Sequence, residues 1–399
     1  MSKLNDLITK LCPDGVPYKK LEKVAEIKRG RRVVKKELSQ DNNSGYPVYQ
    51  NSLKPLGYHT CSNEKAGTPF VIAAGSAGEI GYSDVDYWGA DDCYSIECDD
   101  NAVNGRYIYH VLLLKQGRIK SQVRRASIPR LSNTAIRHLK IPVPPIEIQH
   151  EVVRILDNFM ELEAELEAEL AGRIEQYEYY RDRMLDKKNL ERMDGKPVEM
   201  MKLSDVARIF DGTHRTPNYV SSGIKFVSVE NIGNLAASNK FITEEAFNKE
   251  YKNPPERGDV LMTRIGSIGA CAVVETDEPL AYYVSLSLIK PNRELIIPKF
   301  LRYAIEGKDG RKSLYRRTLH TAVPIKINLG DVGKVEIPVP SLATQERIVD
   351  ILDRFDTLTT SLTDGISAEI AMRREQYEYW RSRILDFPRL PDDAVSDGK

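Results

Sequence analysis

The chain has 399 residues, 41% hydrophobic and 8% aromatic, with 58 basic and 58 acidic side chains, a composition suited to two or three packed domains. No run of 18 apolar residues and no leader pattern at "MSKLNDLITKLCPDG" is found, which sets aside a membrane-spanning helix and makes a cytoplasmic protein the expectation. Five cysteines without a C-x-x-C and six scattered histidines set aside a disulfide framework and a structural zinc, so no metal site is expected. In chain order, "PVYQN", "PFVIAA" and "YSIEC" read as short strands and "RYIYHVLLLK" as a short helix. An I-P-V-P segment (Ile141–Pro144) then rules out helix interior. Beyond it, Ile148, Val152, Leu156, Phe159, Leu162, Leu166, Leu170, Ile174, Tyr177 and Met184 recur in steps near three and four. That spacing predicts one helix of about 40 residues, some 60 Å long. Inside it sit two L-E-A-E tetrads, Leu162–Glu165 and Leu166–Glu169. "KFVSVEN", "DVLMTRI", "CAVVET" and "LSLIK" read as further strands and "KFLRYAIEG" as a helix. A second I-P-V-P leads into a second stripe, from Ile348 to Ile384, with Gly365 placed to kink it.

The second part of this order repeats the first. "IPVPPIEIQHEVVRILDNF" (Ile141–Phe159) matches "IPVPSLATQERIVDILDRF" (Ile337–Phe355) at an offset of 196. "KLEKVAEIKRG" (Lys20–Gly30) matches "KLSDVARIFDG" (Lys202–Gly212) at 182, the G-S-x-G cores Gly75–Gly78 and Gly266–Gly269 match at 191, and "EQYEY" recurs at 200. Two copies of a long unit indicate a duplicated module and not a solenoid. Charge follows the same plan: residues 1–146 carry +7, 147–192 −6, 193–340 +3 and 341–399 −4. Basic globules joined by acidic helices suit a polyanion held by the globules alone.

The fold class predicted is α+β: two mixed globules joined by two long helices. A lone helix polar on most faces does not stay folded. The helices are therefore expected to pair as an antiparallel coiled coil, packing Leu162, Leu166 and Leu170 with Leu358, Leu362 and Ile366, and to space two similar heads. The division expected is a globule at 1–145, a helix at 146–190, a globule at 191–340, a helix at 341–386 and a tail at 387–399.

The two diverged globules, the "IPVP…Q…ILD" joints, the tetrad helix and "QYEYYRD" together resemble the specificity subunit of type I restriction–modification enzymes, and the tetrads resemble its IC-like branch. The likeness spans essentially the whole chain. It implies two target recognition domains, each reading one half of a bipartite, asymmetric site in double-stranded DNA. It implies helices that set the gap and dock two methyltransferase subunits, with restriction subunits joining them. S-adenosylmethionine would belong to the methyltransferase, ATP and Mg to the restriction subunit, and no cofactor to this chain. The resemblance also implies a circular organisation, with both termini near the joint between the halves.

Candidate DNA contacts are chosen by chemistry. "KRGRRVVKK" offers Arg29, Arg31, Arg32 and Lys35; "VYQN" offers Gln50 and Asn51, amides able to pair with adenine; "RIKSQVRRASIPR" offers Arg118, Arg124, Arg125 and Arg130. In the second copy, "DGTHRTPNY" offers Thr213, His214, Arg215 and Thr216, "TRIGSIG" offers Arg264, and "GRKSLYRRTLH" offers Lys312, Arg316, Arg317 and His320. Most such contacts would meet phosphate, which positions without specifying. Tyr177, Tyr179 and Tyr180, like Tyr377, Tyr379 and Trp380, do not all face one neighbouring helix, so they are expected to bind partner subunits. The G-S-x-G pieces lack the lysine and helix of a phosphate loop and are expected to be tight turns. No catalytic residue is assigned. Asn253-Pro254-Pro255 precedes Glu256, where a base-gripping aromatic would be required, and no ATP-binding loop is present. The competing expectation is a non-catalytic scaffold or antirestriction-type protein that binds partners without reading DNA.

Overall fold

Proline lacks the N–H that a helix interior or a central strand needs, but it is tolerated on a sheet edge. Each I-P-V-P segment takes that option. Lys140–Pro142 pairs antiparallel with Tyr18–Lys20, and Glu336–Val339 with Glu199–Lys202. The structure is a computed structural model that describes residues 2–42, 45–99, 102–125, 127–360 and 365–390, the side chains of 357–360 excepted. The chain divides into two compact units, Met1–Glu167 with Glu369–Lys399, and Ala168–Ala368.

The first unit contains a four-stranded antiparallel sheet in the spatial order Ala25–Arg29, Cys93–Cys98, Phe70–Ile72, Ile80–Gly81. A three-stranded sheet follows the order Gly57–His59, Tyr46–Tyr49, Trp88–Gly89, its last pair parallel. The second unit repeats this with Ala207–Asp211, Leu286–Pro291, Val260–Thr263, Cys271–Val273, and with Phe241–Ile242, Ile224–Val227, Leu280–Tyr282. Again the last pair is parallel. The fold is thus α+β and duplicated, strand for strand. The second copy is nine residues longer between its matched glycines, the offset rising from 182 at Gly212 to 191 at Gly266. There it carries the helix Glu244–Glu250.

The matched motifs are the ties that build each unit. Gly30 and Gly212 lie where the chain crosses a neighbouring strand. A Cβ there would sit 2.1 Å from the Ala90 carbonyl oxygen and 2.6 Å from the Tyr283 carbonyl. Gln149 is fully buried; its Oε1 accepts from the Asn104 N–H (2.9 Å), and its Nε2 donates to the Pro144 (2.8 Å) and Ala102 (3.2 Å) carbonyls. Gln345 repeats this with the Ile297 N–H (2.8 Å) and the Pro340 and Leu295 carbonyls (2.9 Å each). The "ILD" aspartates tie the long helices to the short helices Gly105–Leu114 and Pro298–Glu306. Asp157 meets Arg106 (2.9 Å) and His110 (2.7 Å), and Asp353 meets Lys299 and the Tyr303 hydroxyl (2.6 Å each).

The first long helix runs 39 residues, Ile146–Met184. The second is not one helix among the described residues: Leu342–Thr360 and Ile366–Ile384 are separate, with Gly365 in a bend before the latter. The stripes begin as globule core. Ile148, Val152 and Leu156 are fully buried in the first unit beside Tyr107 and Val111, where the end of the other stripe, Tyr377 and Ile384, joins them. In the second unit Ile348 and Leu352 pack with Phe300 and Leu301, and Tyr177 and Leu185 join. Each such side chain contributes about 1.5–3 kcal/mol through burial. Within each unit, then, the start of one long helix packs with the end of the other. Leu162 is 43% exposed, and Leu166, Leu170 and Ile366 are half-buried. The Leu358 side chain and Leu362 lie outside the described residues. Arg374 makes ion pairs with both Glu163 and Glu167, equivalent positions of successive tetrads.

Candidate nucleic-acid interface

In the first unit the loops at one sheet edge are tied together through backbone hydrogen bonds. Gly75, at φ +82°, turns the chain between Phe70–Ile72 and Ile80–Gly81, and a Cβ there would lie 2.8 Å from the Asn51 carbonyl oxygen. The Ser76 N–H donates to that carbonyl (2.9 Å), and the Gly75 N–H to the Pro129 carbonyl (3.2 Å). Arg124 and Arg130 exchange backbone hydrogen bonds of 2.9 and 3.2 Å, closing a hairpin, and the Leu131 N–H donates to Ala73 (2.8 Å). The basic run joins through Gly89 and Ala90: the Arg31 N–H donates to Gly89, and the Ala90 N–H to Tyr49 (2.9 Å each). Gln50, Asn51, Arg31, Arg124 and Arg130 therefore belong to one loop cluster. Asn51, Arg29, Arg31, Arg32, Lys35, Arg118, Arg124, Arg125 and Arg130 are exposed, and Gln50 is half-buried. Arg29 spends its Nε on the Asp91 carbonyl (2.9 Å). Arg118 lies on the helix Gln116–Ser121, whose Gln116 and Lys120 meet the Gly78–Glu79 end of the turn at Gly75.

The second unit builds the corresponding cluster. Gly266, at φ +86°, turns between Val260–Thr263 and Cys271–Val273, and its N–H donates to the Ile325 carbonyl (2.9 Å). Both G-S-x-G pieces are thus the tight turns expected. The Leu319 N–H donates to Lys326 (2.7 Å), closing a hairpin, and the Ile327 N–H donates to Arg264 (3.0 Å). The loop after Ala207–Asp211 lies alongside, with the Val284 N–H donating to Thr213 (3.0 Å). His214, Arg215 and Thr216 on that loop are exposed, as are Lys312, Arg316 and His320.

Three expectations need correction, those for Arg264, Tyr177 and Tyr377. Arg264 is only 7% exposed; its guanidinium grips both carboxylate oxygens of Asp211 (2.7 and 2.8 Å) and the Ile327 carbonyl (3.2 Å), so it props the loop from beneath. Thr213 donates its hydroxyl to Glu250 (2.6 Å), and Arg317 is half-buried on Ser313 (2.8 Å) and Glu336 (3.8 Å). Tyr177 and Tyr377 are core, at 9% and 7% exposure, and therefore unavailable to a partner. Tyr179, Tyr180 and Tyr379 are exposed at 57%, 39% and 52%, while Trp380 packs partly against the core. Arg183 and Arg383 donate to the Tyr179 and Tyr379 hydroxyls at 2.9 Å each, so this exposed pair is duplicated too.

The buried charges are structural. Burial pushes the His110 imidazole below its ordinary range despite the Asp157 carboxylate beside it. A neutral ring there donates to Asp157 and accepts from the Tyr377 hydroxyl at 3.1 Å. Burial opposes ionisation of Asp157, but His110 and Arg106 outweigh it and hold the carboxyl below its usual range. A cavity of about 870 Å³ in the second unit is lined by Lys299, Arg302, Glu306, Asp353 and Asp356, whose charges pair with one another. No cluster of three or more metal-ligating side chains occurs among the described residues. No helix among them is long and apolar enough to cross a membrane.

Residues 13–176 and 195–372 match the family described as "Type I restriction modification DNA specificity domain". A type I restriction enzyme specificity subunit of Escherichia coli (EcoR124I/EcoR124II) is 31% identical over 309 residues, 73% of each chain. A putative type I restriction enzyme specificity subunit of Haemophilus influenzae is 29% identical over 399 aligned residues, covering 93% of this chain and 96% of that one. The crystal structure of a type I restriction–modification S subunit from M. genitalium superposes with a TM-score of 0.60 at 16% identity, over 93% of this chain and 96% of that chain, a likeness of fold. The chain belongs to the type I restriction–modification DNA specificity family.

Proposed function

We propose that this member of the specificity family is the non-catalytic, sequence-reading subunit of a type I restriction–modification complex. Each unit reads one half of a bipartite, asymmetric site in double-stranded DNA. The observation that carries this is the duplicated frame with unlike surfaces. Sheet order and buried ties repeat, while the corresponding loops present Asn51, Arg124, Arg125 and Arg130 in one unit and His214, Arg215, Thr216 and Lys326 in the other. Similar frames with different exposed chemistry suit an unlike pair of half-sites. Exposed cations on both loop clusters favour DNA over a scaffold that binds proteins alone.

In this reading residues 1–145 and 191–340 supply the readers, and 146–190 and 341–386 set the unread gap. Two methyltransferase subunits dock at the duplicated surfaces around Tyr179 and Tyr180 and around Tyr379 and Trp380. Those subunits bring S-adenosylmethionine, and restriction subunits bring ATP and Mg. The test is methylation sequencing of a methylation-free host expressing the methyltransferase subunit with and without this chain. One split, asymmetric motif methylated only with the chain present supports the reading. No new methylation from a soluble, assembled complex shifts the weight to the scaffold.

A further inference from the structure

The hairpin Leu319–Lys326 carries apolar surface where its surroundings are basic. Val323 at its tip is fully exposed, Leu319 is 41% exposed, and Tyr315, at the end of the helix Lys308–Arg317, is 70% exposed. Lone exposed hydrophobics are ordinary, whereas here Leu319 and Val323 share one hairpin and Tyr315 adjoins its base. The projection is also ordered. Its base is closed by the Leu319–Lys326 hydrogen bond and clamped by Gly266 N–H to Ile325. The rings of Tyr315 and His320 lie 4.2 Å apart, and the His320 Nε2 is 2.9 Å from the Tyr315 carbonyl. The exposed cations Lys312 and Arg316 lie on the same helix as Tyr315, and the exposed Lys326 at the base of the hairpin.

The first unit repeats the arrangement with different chemistry. Its hairpin also carries a β-branched aliphatic, a proline and a cation in sequence, Ile128-Pro129-Arg130 against Val323-Pro324-Ile325-Lys326. Ile128 is 53% exposed there, but Arg124 and Arg125 accompany it, where the second hairpin has Leu319 and His320.

We propose that Val323 is a base-reading residue that packs on the C5-methyl group of a thymine in the major groove, the surrounding cations holding the flanking phosphates. Thymine is the one base whose groove edge presents an apolar group, so an apolar tip on a hairpin clamped at its base, with cations on the same elements, matches it. The proposal rests on the DNA-reading function above and names the chemistry of one of its contacts.

The test uses the chain assembled with its methyltransferase subunits and a duplex carrying the motif found by methylation sequencing. Each thymine is replaced in turn by deoxyuridine, which lacks only the methyl group, and affinity is measured for the wild-type and Val323→Ala complexes. One thymine should show a loss of about four-fold on replacement, the value of one buried methyl. That loss should shrink in Val323→Ala, whose shorter side chain withdraws two methyl groups from the contact and whose fully exposed site leaves folding undisturbed. No thymine whose deoxyuridine penalty depends on residue 323, or equal weakening of all duplexes by Val323→Ala, overturns the assignment. A wild-type complex with no preference for its motif over competitor DNA overturns the DNA-reading function itself.

Discussion

Arg264 separates a strut from a contact, and the two roles leave different thermodynamic traces. Arg264 is 93% buried and its guanidinium makes three hydrogen bonds, to Asp211 and the Ile327 carbonyl, while the Asp211 side chain stays 25% exposed. Breaking a fully buried pair costs about 3–5 kcal/mol; with one partner partly hydrated, about 2–3 kcal/mol is expected for Arg264→Met. Arg264→Lys should recover less than half of that, since one ammonium does not serve both Asp211, held by Nη2, and the Ile327 carbonyl, held by Nη1. Stability would be followed by urea unfolding, and DNA affinity as a function of salt at concentrations where both variants are folded. Removing a phosphate contact lowers the salt slope by about 0.9. Arg316→Ala should show that drop with little loss of stability, and Arg264→Met the reverse. If Arg264→Met left stability within about 0.5 kcal/mol of wild type and lowered the salt slope as Arg316→Ala does, the strut assignment would be wrong.

Gln149→Leu and Gln345→Leu each strand a buried N–H and two carbonyls, at about 2 kcal/mol or more; hydrogen exchange near Asn104 or Ile297 should quicken roughly 30-fold. Equal protection in wild type and variant would refute the clasp. The Glu151 carboxyl is held at about 2, against an ordinary 4.5, by Arg154 and then Lys3. Its stabilising contribution is therefore full above pH 4.5 and lost as pH falls from 4.5 towards 2. Glu151→Gln should flatten that part of the acid-unfolding profile, and an unchanged profile would discount the pair. Inserting a further L-E-A-E after Glu169 adds about 6 Å of helix, a little under two base steps. The methylated motif should keep both half-sites and gain a longer gap; an unchanged gap would remove the helix from the role of spacer.

The strands that were legible carried their own signal. Phe70–Ile72, Cys93–Cys98, Val260–Thr263 and Leu286–Pro291 are short apolar or alternating runs. Ile80–Gly81 and Trp88–Gly89 are two residues each, below any period, and exist through pairing with neighbours. The helix Lys308–Arg317 buries only Gly310, Ser313 and Leu314, so it shows no apolar stripe. At the interface, residue type gave the candidates but not their fate. Arg264 and Arg316 are the same side chain, and only tertiary packing makes one a strut. Likewise Tyr177, Tyr179 and Tyr180 show that not all face inward, while the choice of Tyr177 comes from the core it meets.

What the copies share and where they differ argues for how the surface changes. Gly30 and Gly212, Gln149 and Gln345, and Asp157 and Asp353 all sit at the joints of the frame, the glycines in steric contact, the glutamines buried and the aspartates paired with a short helix. The tips are held almost wholly by backbone hydrogen bonds, as between Gly75 and Pro129 or Gly266 and Ile325. Such bonds are indifferent to the side chain, and exposed substitutions typically move stability by no more than about 0.5 kcal/mol. One hairpin can therefore be arginine-rich and the other apolar on the same scaffold. Arg264 marks the limit of that freedom. Where a side chain and not the backbone supports a loop, as Asp211 is supported, loop and strut must change together, and the second copy's added helix brings such a side-chain tie of its own, from Glu250 to Thr213.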